Sequence, residues 1–222
     1  LADVLKASRC IVVENDYIKE YVSKYCGNVH KIPGPIDTER YFVRPKASGA
    51  GKEVVIGWIG SPATTSYLHL LDNVFRNVLS KFPDVRVVLI GAGNYAFPGD
   101  RVAKVPWRYE TEVGDLQKFD IGVMPMPDDR WTRGKLGCKM LQYMAVGVPS
   151  VVSYTPTNAE LIKDGVNGFL IRTEEEWIGA LGRLVSDASL RASVGAAGRD
   201  TVEKACSVKV NGPKMVELFR SL

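Results

Sequence analysis

Short apolar runs rich in β-branched residues recur along the chain at residues 10–13, 29–32, 54–59, 85–90, 119–124, 149–153 and 168–171. Between them lie stretches, 17–25, 64–81, 134–146 and 174–185, in which apolar residues return three and four positions apart. The first pattern predicts strands and the second amphipathic helices. Their alternation predicts an α/β fold, a parallel sheet with helices on both faces, because parallel strands need helical crossovers. From residue 187 onward the pattern is helical, with alanines, arginines and glycines, and it closes with "KVNGPKMVELFRSL".

One stretch, "YFVRPKASGAGKE" at 41–53, is rich in Gly, Ala, Ser and Lys, keeps no apolar period, and reads as a linker. Before it stand two strand-and-helix pieces, too few for a complete domain; after it the α/β pattern runs to the end. The predicted organisation is the tail of one domain over residues 1–44, a linker over 45–53 and a whole domain over 54–222. No internal repeat at a fixed period is visible. The chain starts at Leu1 with no charged-then-apolar leader, and a front half is expected to precede it.

Composition narrows the classes. With 222 residues, 45% hydrophobic and 24% charged, the chain can bury a substantial core and is neither disordered nor membrane-like. No apolar run reaches the roughly 18 to 20 residues that span a bilayer. Cys10, Cys26, Cys138 and Cys206 are scattered, with no CxxC pair, and read as reduced cytosolic thiols. Only His30 and His69 are present, which removes histidine-based zinc sites and HExxH proteases, and no GxSxG elbow occurs. A net charge of +4 is too mild to indicate nucleic acid by itself.

Three stretches are candidates for chemistry. In "VVIGWIGSPATTSYL", 54–68, a buried strand runs into Gly60-Ser61-Pro62 and then a helix, with Thr64 or Thr65 as N-cap. Free backbone N–H groups and the helix dipole favour a phosphate there, and Gly60 lets an anion approach closely; an ordinary tight turn is the alternative. "GAGNYA", 91–96, matches GxGxxG/A after a strand, but Phe97-Pro98-Gly99 interrupts the helix that a dinucleotide site needs, so a loop is predicted.

In the third, on a helix beginning near Gly134, Lys135, Lys139 and Gln142 share one face, while Leu136, Met140 and Met144 occupy a neighbouring core face. Cations in a first turn oppose the dipole by a few tenths to about 1 kcal/mol each unless an anion sits beside them. Arg130 and Arg133 add to the positive field, and Asp128 and Asp129 partly offset it. A solvated surface is the alternative for these lysines. Yet this helix and the Gly60 turn both follow strand C-termini, the edge at which open α/β sheets bind ligands.

Four stretches, "IPGPIDTERY", "IGWIGSPATTSYL", "KMLQYMAVGVPSVVS" and "NAELIKDGVNGFLI", with "EEEWIGALGRLVSD" after the last, carry a family resemblance. From about residue 11 onward the chain resembles the retaining nucleotide-sugar glycosyltransferases of the large family four, also termed group 1. Their GT-B fold sets two Rossmann-like domains across a cleft. The resemblance implies a remnant of the acceptor domain followed by the whole donor-binding domain. The family's paired glutamates match positions 134 and 142. The second holds the ribose hydroxyls, and Gln142 stands in its place as a neutral hydrogen-bonding partner. The first contacts the donor sugar, and Gly134 replaces it.

The arginine and lysine that usually follow the first donor-domain strand are replaced by Ser61-Pro62-Ala63-Thr64, and Lys135 and Lys139 are expected to supply the displaced charge. The implied site is a diphosphate cradle of Gly60, Ser61, Lys135 and Lys139, with Gln142 on the ribose. Thr64, Arg133, Trp107 stacked on the base and Glu160 near the donor complete the candidates. A core or rim position for Trp107 and helix capping or solvation for Glu160 are the alternatives.

The implied reaction moves a sugar from a nucleoside-diphosphate sugar to an acceptor hydroxyl with retention, as in polysaccharide biosynthesis. Positive groups and helix N-termini stabilise the departing diphosphate, so no metal and no cofactor are expected. The expected acceptor is a carbohydrate, lipid-linked or small molecule held by the N-terminal domain. The full-length protein is expected in the cytoplasm, with peripheral association at the inner face of the membrane. Paired carboxylates suited to glycoside hydrolysis are not evident. The rival readings are a GT-B-fold sugar-nucleotide epimerase, for which Gly134 lacks the carboxylate, and a non-catalytic nucleotide-binding module. Nucleic-acid binding through Arg130, Arg133, Lys135 and Lys139 would show steep salt dependence, and it lacks interleaved aromatics.

Overall fold

The computed structural model describes residues 1–45 and 53–222; of the predicted linker over 45–53, residues 46–52 lie outside the described residues. The N-terminal piece comprises α1 (Ala2–Ala7), β1 (Ile11–Val13), α2 (Asp16–Val22) and β2 (Val29–Lys31), with β1 and β2 paired in parallel. Its core is Leu5, Val13 and Val22. Asn15 caps α2, its side-chain oxygen accepting from the Ile18 N–H at 2.9 Å.

The remainder forms a six-stranded parallel sheet of β3 (Val54–Ile59), β4 (Val85–Ile90), β5 (Val102–Val105), β6 (Ile121–Met124), β7 (Ser150–Ser153) and β8 (Phe169–Ile171). The connections are α3 (Pro62–Thr65), a 3₁₀ segment (Ser66–Leu71), α4 (Asp72–Lys81), α5 (Glu112–Leu116), α6 (Arg130–Arg133), α7 (Cys138–Ala145) and α8 (Pro156–Ala159). The C-terminal helices are α9 (Glu174–Ser186), α10 (Ala188–Ala205) and α11 (Val208–Ser221). One core joins the sheet to α4 and α9 through Ile56, Trp58, Phe75 and Leu181; the other joins it to α5 and α7 through Ile59, Leu116, Met140 and Met144. Helices therefore cover both faces, as predicted.

The spatial order β5-β4-β3-β6-β7-β8 reverses direction at β3. Chain connections leave β3 and β6 on opposite sides there, which opens a crevice at their C-terminal ends. The two strands pair at Ile56 with Ile121 and Gly57 with Gly122. Both glycines are there for space: a Cβ at Gly57 would stand 2.1 Å from the Phe119 ring, and one at Gly122 2.4 Å from the Tyr143 ring. Farther along, the wholly buried Tyr143 hydroxyl accepts from Ile59 N at 3.1 Å and donates to Val123 O at 3.2 Å. It thus satisfies backbone groups where the strands part, and burial pushes its pKa up, so the phenol keeps its proton.

The strands at 54–59 and 85–90 form with the predicted bounds. The edge strand β5 was not predicted, because its half-buried residues lie between Arg101 and Pro106 with Lys104 inside, and no apolar run marks it. The predicted helix over 64–81 is three pieces. Its N-cap is Ser61, with Pro62 at the first helical position, rather than Thr64 or Thr65, whose hydroxyls donate back to Ser61 O at 3.2 Å each. The predicted helix over 134–146 starts only at Cys138, because Gly134 closes the separate short helix α6. "GAGNYA" is a turn with Gly91 and Gly93 at φ of 71° and 54°, so no helix starts there.

The N-terminal piece is tied to the larger sheet at several points. Lys31 Nζ bridges Asp16 at 2.6 Å and Glu160 at 3.0 Å, and Asn15 Nδ2 donates to Gly134 O at 3.0 Å. From the other end, α11 returns to the crossover segment: Val208 N donates to Ile36 O at 3.0 Å and Asn211 Nδ2 to Pro33 O at 3.1 Å. No helix among the described residues is long and apolar enough to cross a membrane.

Candidate functional site

The crevice beyond β3 and β6 holds two adjoining cavities that share Lys139. One, of about 430 Å³, is lined by Gly60, Ser61, Trp107, Glu112, Lys139 and Gln142. The other, of about 320 Å³, is lined by Glu14, Thr64, Tyr67, Lys135, Cys138 and Lys139. A larger, more apolar cavity of about 560 Å³ lies at the opposite end of the strands, against Phe119, Val148 and Ala192, and is lined by none of these residues.

Position 139 is fixed by α7. Four residues on, Tyr143 is locked between β3 and β6, so Lys139 one turn earlier must project at their C-terminal ends. Its ammonium donates to the Thr64 hydroxyl at 3.3 Å and sits 5.4 Å from the centre of the Trp58 ring. No carboxylate pairs with it among the described residues. Desolvation, and secondarily the charge of Lys135, push its pKa down to about 8. A partly buried cation without a carboxylate partner among the described residues, at this edge of the sheet, is chemically suited to an anionic ligand.

Gly60 makes room for that lysine. A Cβ at Gly60 would meet the Trp58 ring at 2.3 Å and Lys139 Cε at 2.9 Å. Beside it, Ser61 is N-cap of α3, but its side chain makes no capping hydrogen bond. Lys135 lines the second cavity from the loop between α6 and α7, its ammonium 5.0 Å from the Trp131 ring centre. The expected single helical stripe of Lys135, Lys139 and Gln142 is corrected accordingly: Lys139 and Gln142 share α7, whereas Lys135 precedes it.

Gln142 donates through Nε2 to Glu112 Oε1 at 3.2 Å and to the Tyr41 hydroxyl at 3.1 Å. The Tyr41 hydroxyl in turn donates to Glu112, and its pKa is raised by burial and by that carboxylate. Trp107, with 48% of its surface exposed, donates its indole N–H to Glu112. Glu112 was not anticipated from the sequence. It lies in the polar run "YETEVGD", yet it falls one turn before Leu116 and two before Phe119, both buried. An acidic residue on the apolar stripe of a short helix was the available signal.

Two other candidates are not brought into this group. Arg133 is held by Asp128 through Nε at 2.6 Å and Nη2 at 2.8 Å; the pair raises the pKa of Arg133 and lowers that of Asp128, and Arg133 lines neither cavity. Glu160 is C-cap of α8 and is engaged by Lys31 and by the Asp16 N–H at 2.9 Å, so its carboxylate serves the junction with the N-terminal piece. At Gly134, the position expected to match the family's first glutamate, an added Cβ would lie 3.0 Å from the terminal Cδ1 methyl of Ile18 on α2.

Comparison with known proteins adds three findings. The model of the family "Glycosyl transferases group 1" matches residues 53–187. No curated protein sequence matches the chain. Among solved structures, sucrose-phosphate synthase of Thermosynechococcus elongatus superposes with a TM-score of 0.80 at 16% identity, over 99% of this chain and 60% of the other. HepE of Anabaena in complex with UDP-glucose gives a TM-score of 0.80 at 16% identity, over 100% of this chain and 66% of that one. A TarM variant of S. aureus in complex with fondaparinux, alpha-GlcNAc-glycerol and UDP gives 0.75 at 19% identity, over 98% and 45%. These likenesses show the fold, the Rossmann-like arrangement of GT-B glycosyltransferases, and the chain spans less than two thirds of each of these proteins.

Proposed function

The chain belongs to the group 1 glycosyl transferases, and on that footing we propose that it holds the diphosphate of a nucleotide-sugar donor in the β3–β6 crevice. Lys139 carries the reading: a cation desolvated to a pKa of about 8, without a carboxylate partner, beside the Gly60–Ser61 turn. Gly60, Ser61, Lys135 and Lys139 form the cradle, with Thr64 orienting Lys139 from the side. Because the two cavities meet at Lys139, a diphosphate there places the nucleoside toward Trp107 and Gln142 and the sugar toward Lys135. Gln142 then faces the ribose and Trp107 the base.

The reaction is transfer of the sugar to an acceptor hydroxyl with retained configuration. Negative charge builds on the departing diphosphate, and the two lysines stabilise it, the role that a divalent metal fills elsewhere. No metal or cofactor is part of the reading. Residues 1–44 are read as the end of an acceptor domain and 54–222 as the donor domain. The acceptor, a carbohydrate, lipid-linked or small molecule, is bound through further N-terminal residues, and the complete protein works in the cytoplasm or at the inner face of the membrane. A second reading, nucleotide binding without turnover, is favoured by one observation, the presence of Gly134 where a sugar-contacting glutamate would stand.

The test is a thermal-shift and calorimetric panel of uridine, guanosine and adenosine diphosphates and their sugar conjugates. UDP is the first choice because the HepE and TarM structures contain UDP or UDP-glucose. A ligand at a hundred times its Kd stabilises the fold by about 2.7 kcal/mol. Replacing both Lys135 and Lys139 by Ala should weaken binding more than tenfold, as expected when charge-assisted hydrogen bonds to phosphate are lost (about 1.5–3 kcal/mol each). Unchanged affinity removes the cradle. These 222 residues should bind the donor without glycosylating an acceptor, and product formation by them alone would contradict the domain reading.

A further inference from the structure

Glu112 is 5% exposed, at the first position of α5, and donors converge on it from several elements. Tyr41 comes from the crossover segment, Trp107 from the loop after β5 and Gln142 from α7; Arg40 adds its guanidinium at 3.8 Å. A carboxylate is kept inside only when paired and hydrogen-bonded, and this one is served on both oxygens. It also constrains its neighbour. An ionised carboxylate only accepts, so the Gln142 amide must turn its NH₂ toward Glu112. The Tyr41 hydroxyl and Glu112 Oε1 are bonded to each other, so one Gln142 N–H is shared between them, and the carbonyl oxygen and the other N–H of Gln142 are left to face a ligand in the cavity.

We infer that Glu112 and Gln142 act as one divided ribose-recognition unit: Glu112 is a positioning residue that carries the negative charge and holds the Gln142 amide with its oxygen toward the ribose 2′,3′-diol. The inference rests on the assignment of Gln142 to the ribose. It follows that a glutamate at 142 is incompatible with Glu112, because two carboxylates at the present 3.2 Å spacing cannot both stay ionised. The exchanged pair, Glu112→Gln with Gln142→Glu, restores one charge and one amide, with the direction of the hydrogen bond between them reversed.

The experiment titrates UDP, GDP and ADP, each beside its 2′,3′-dideoxy analogue, into the whole chain as wild type, Glu112→Gln, Gln142→Glu and the exchanged pair. Titrations run at about pH 6 and about pH 7.5, because one carboxylate of a close pair titrates well above its ordinary range. Wild type should prefer the diol about tenfold, the discrimination expected of one or two buried hydrogen bonds. Each single change should reduce the preference to near unity, Gln142→Glu more severely at the higher pH, and the exchanged pair should regain it to within about threefold. Preference retained in the singles, or an exchanged pair as poor as the worse single, overturns the inference while leaving the ribose assignment intact. A wild type with no preference for any diol overturns both. If Glu112→Gln does not fold, Gln142→Glu alone decides: preference regained at the lower pH supports the unit, and a pH-independent result overturns it.

Discussion

Replacing Lys139 by Met should make the free protein more stable and the nucleotide complex weaker. Methionine keeps the length of the stem against Trp58 and removes the charge. The pKa of Lys139 falls from 10.5 to about 8, with desolvation the first cause and the Lys135 charge the second. At 1.36 kcal/mol per pKa unit this corresponds to an upper bound of about 3 kcal/mol disfavouring the protonated form in the native state. Relieving most of it should raise stability by about 1–3 kcal/mol, and Tm by about 2–4 °C for each kcal/mol in a chain of this size.

The same substitution should cost about ten- to a hundredfold in nucleoside-diphosphate affinity, the equivalent of about 1.5–3 kcal/mol for a hydrogen bond to a charged group. The pH dependence has a fixed sign. Between about 8 and 10.5 the unfolded chain holds the Lys139 proton and the native state does not, so wild-type stability gains from this group as pH rises through that window. Lys139→Met should lack that gain. Wild-type affinity for the diphosphate should fall above about pH 8, because the anion then has to recruit a proton. Differential scanning calorimetry and isothermal titration across pH 6 to 10, roughly bracketing that pKa, measure both effects. A Met variant that melts lower than wild type and binds nucleotide equally well would refute the reasoning.

Two further predictions concern the architecture of the crevice. Gly60→Ala places a methyl group 2.3 Å from the Trp58 ring and 2.9 Å from Lys139 Cε, so it should cost about 1–3 kcal/mol in stability and displace Lys139. Urea denaturation and nucleotide titration together check this, and a variant neutral in both would show that the close approach is not needed. Tyr143→Phe leaves the Ile59 N–H and the Val123 carbonyl without the hydroxyl that joins them, and should destabilise by about 1–3 kcal/mol. Hydrogen exchange should report faster opening at Ile59, and unchanged protection there would mean that the strands are held together by other contacts.

Much of the scaffold was determined by the sequence itself. The apolar runs at 54–59 and 85–90 became β3 and β4 with the predicted bounds, because strands buried on both faces over most of their length are mainly apolar, with the exposed Arg86 near the start of β4 the exception. The Gly60 turn at the C-terminal edge and the one-turn spacing of Lys139 and Gln142 were also legible, since both follow from local periodicity. Lys135 was misplaced because helix starts are set by capping, and Gly134 closes α6 instead of opening α7.

What only the tertiary structure decided is which charges are free and which are already engaged. Arg133 and Glu160 look as available in the sequence as Lys139, but Asp128 holds one and Lys31 the other. Glu112 looks like a solvated acid in a polar run and is instead the buried centre of a network drawn from four separate segments of the chain. The physical reason is that periodicity encodes the boundary between core and solvent, which each segment reports for itself. The partner of a charge, and the water it loses, depend on distant segments that meet only once the chain has folded.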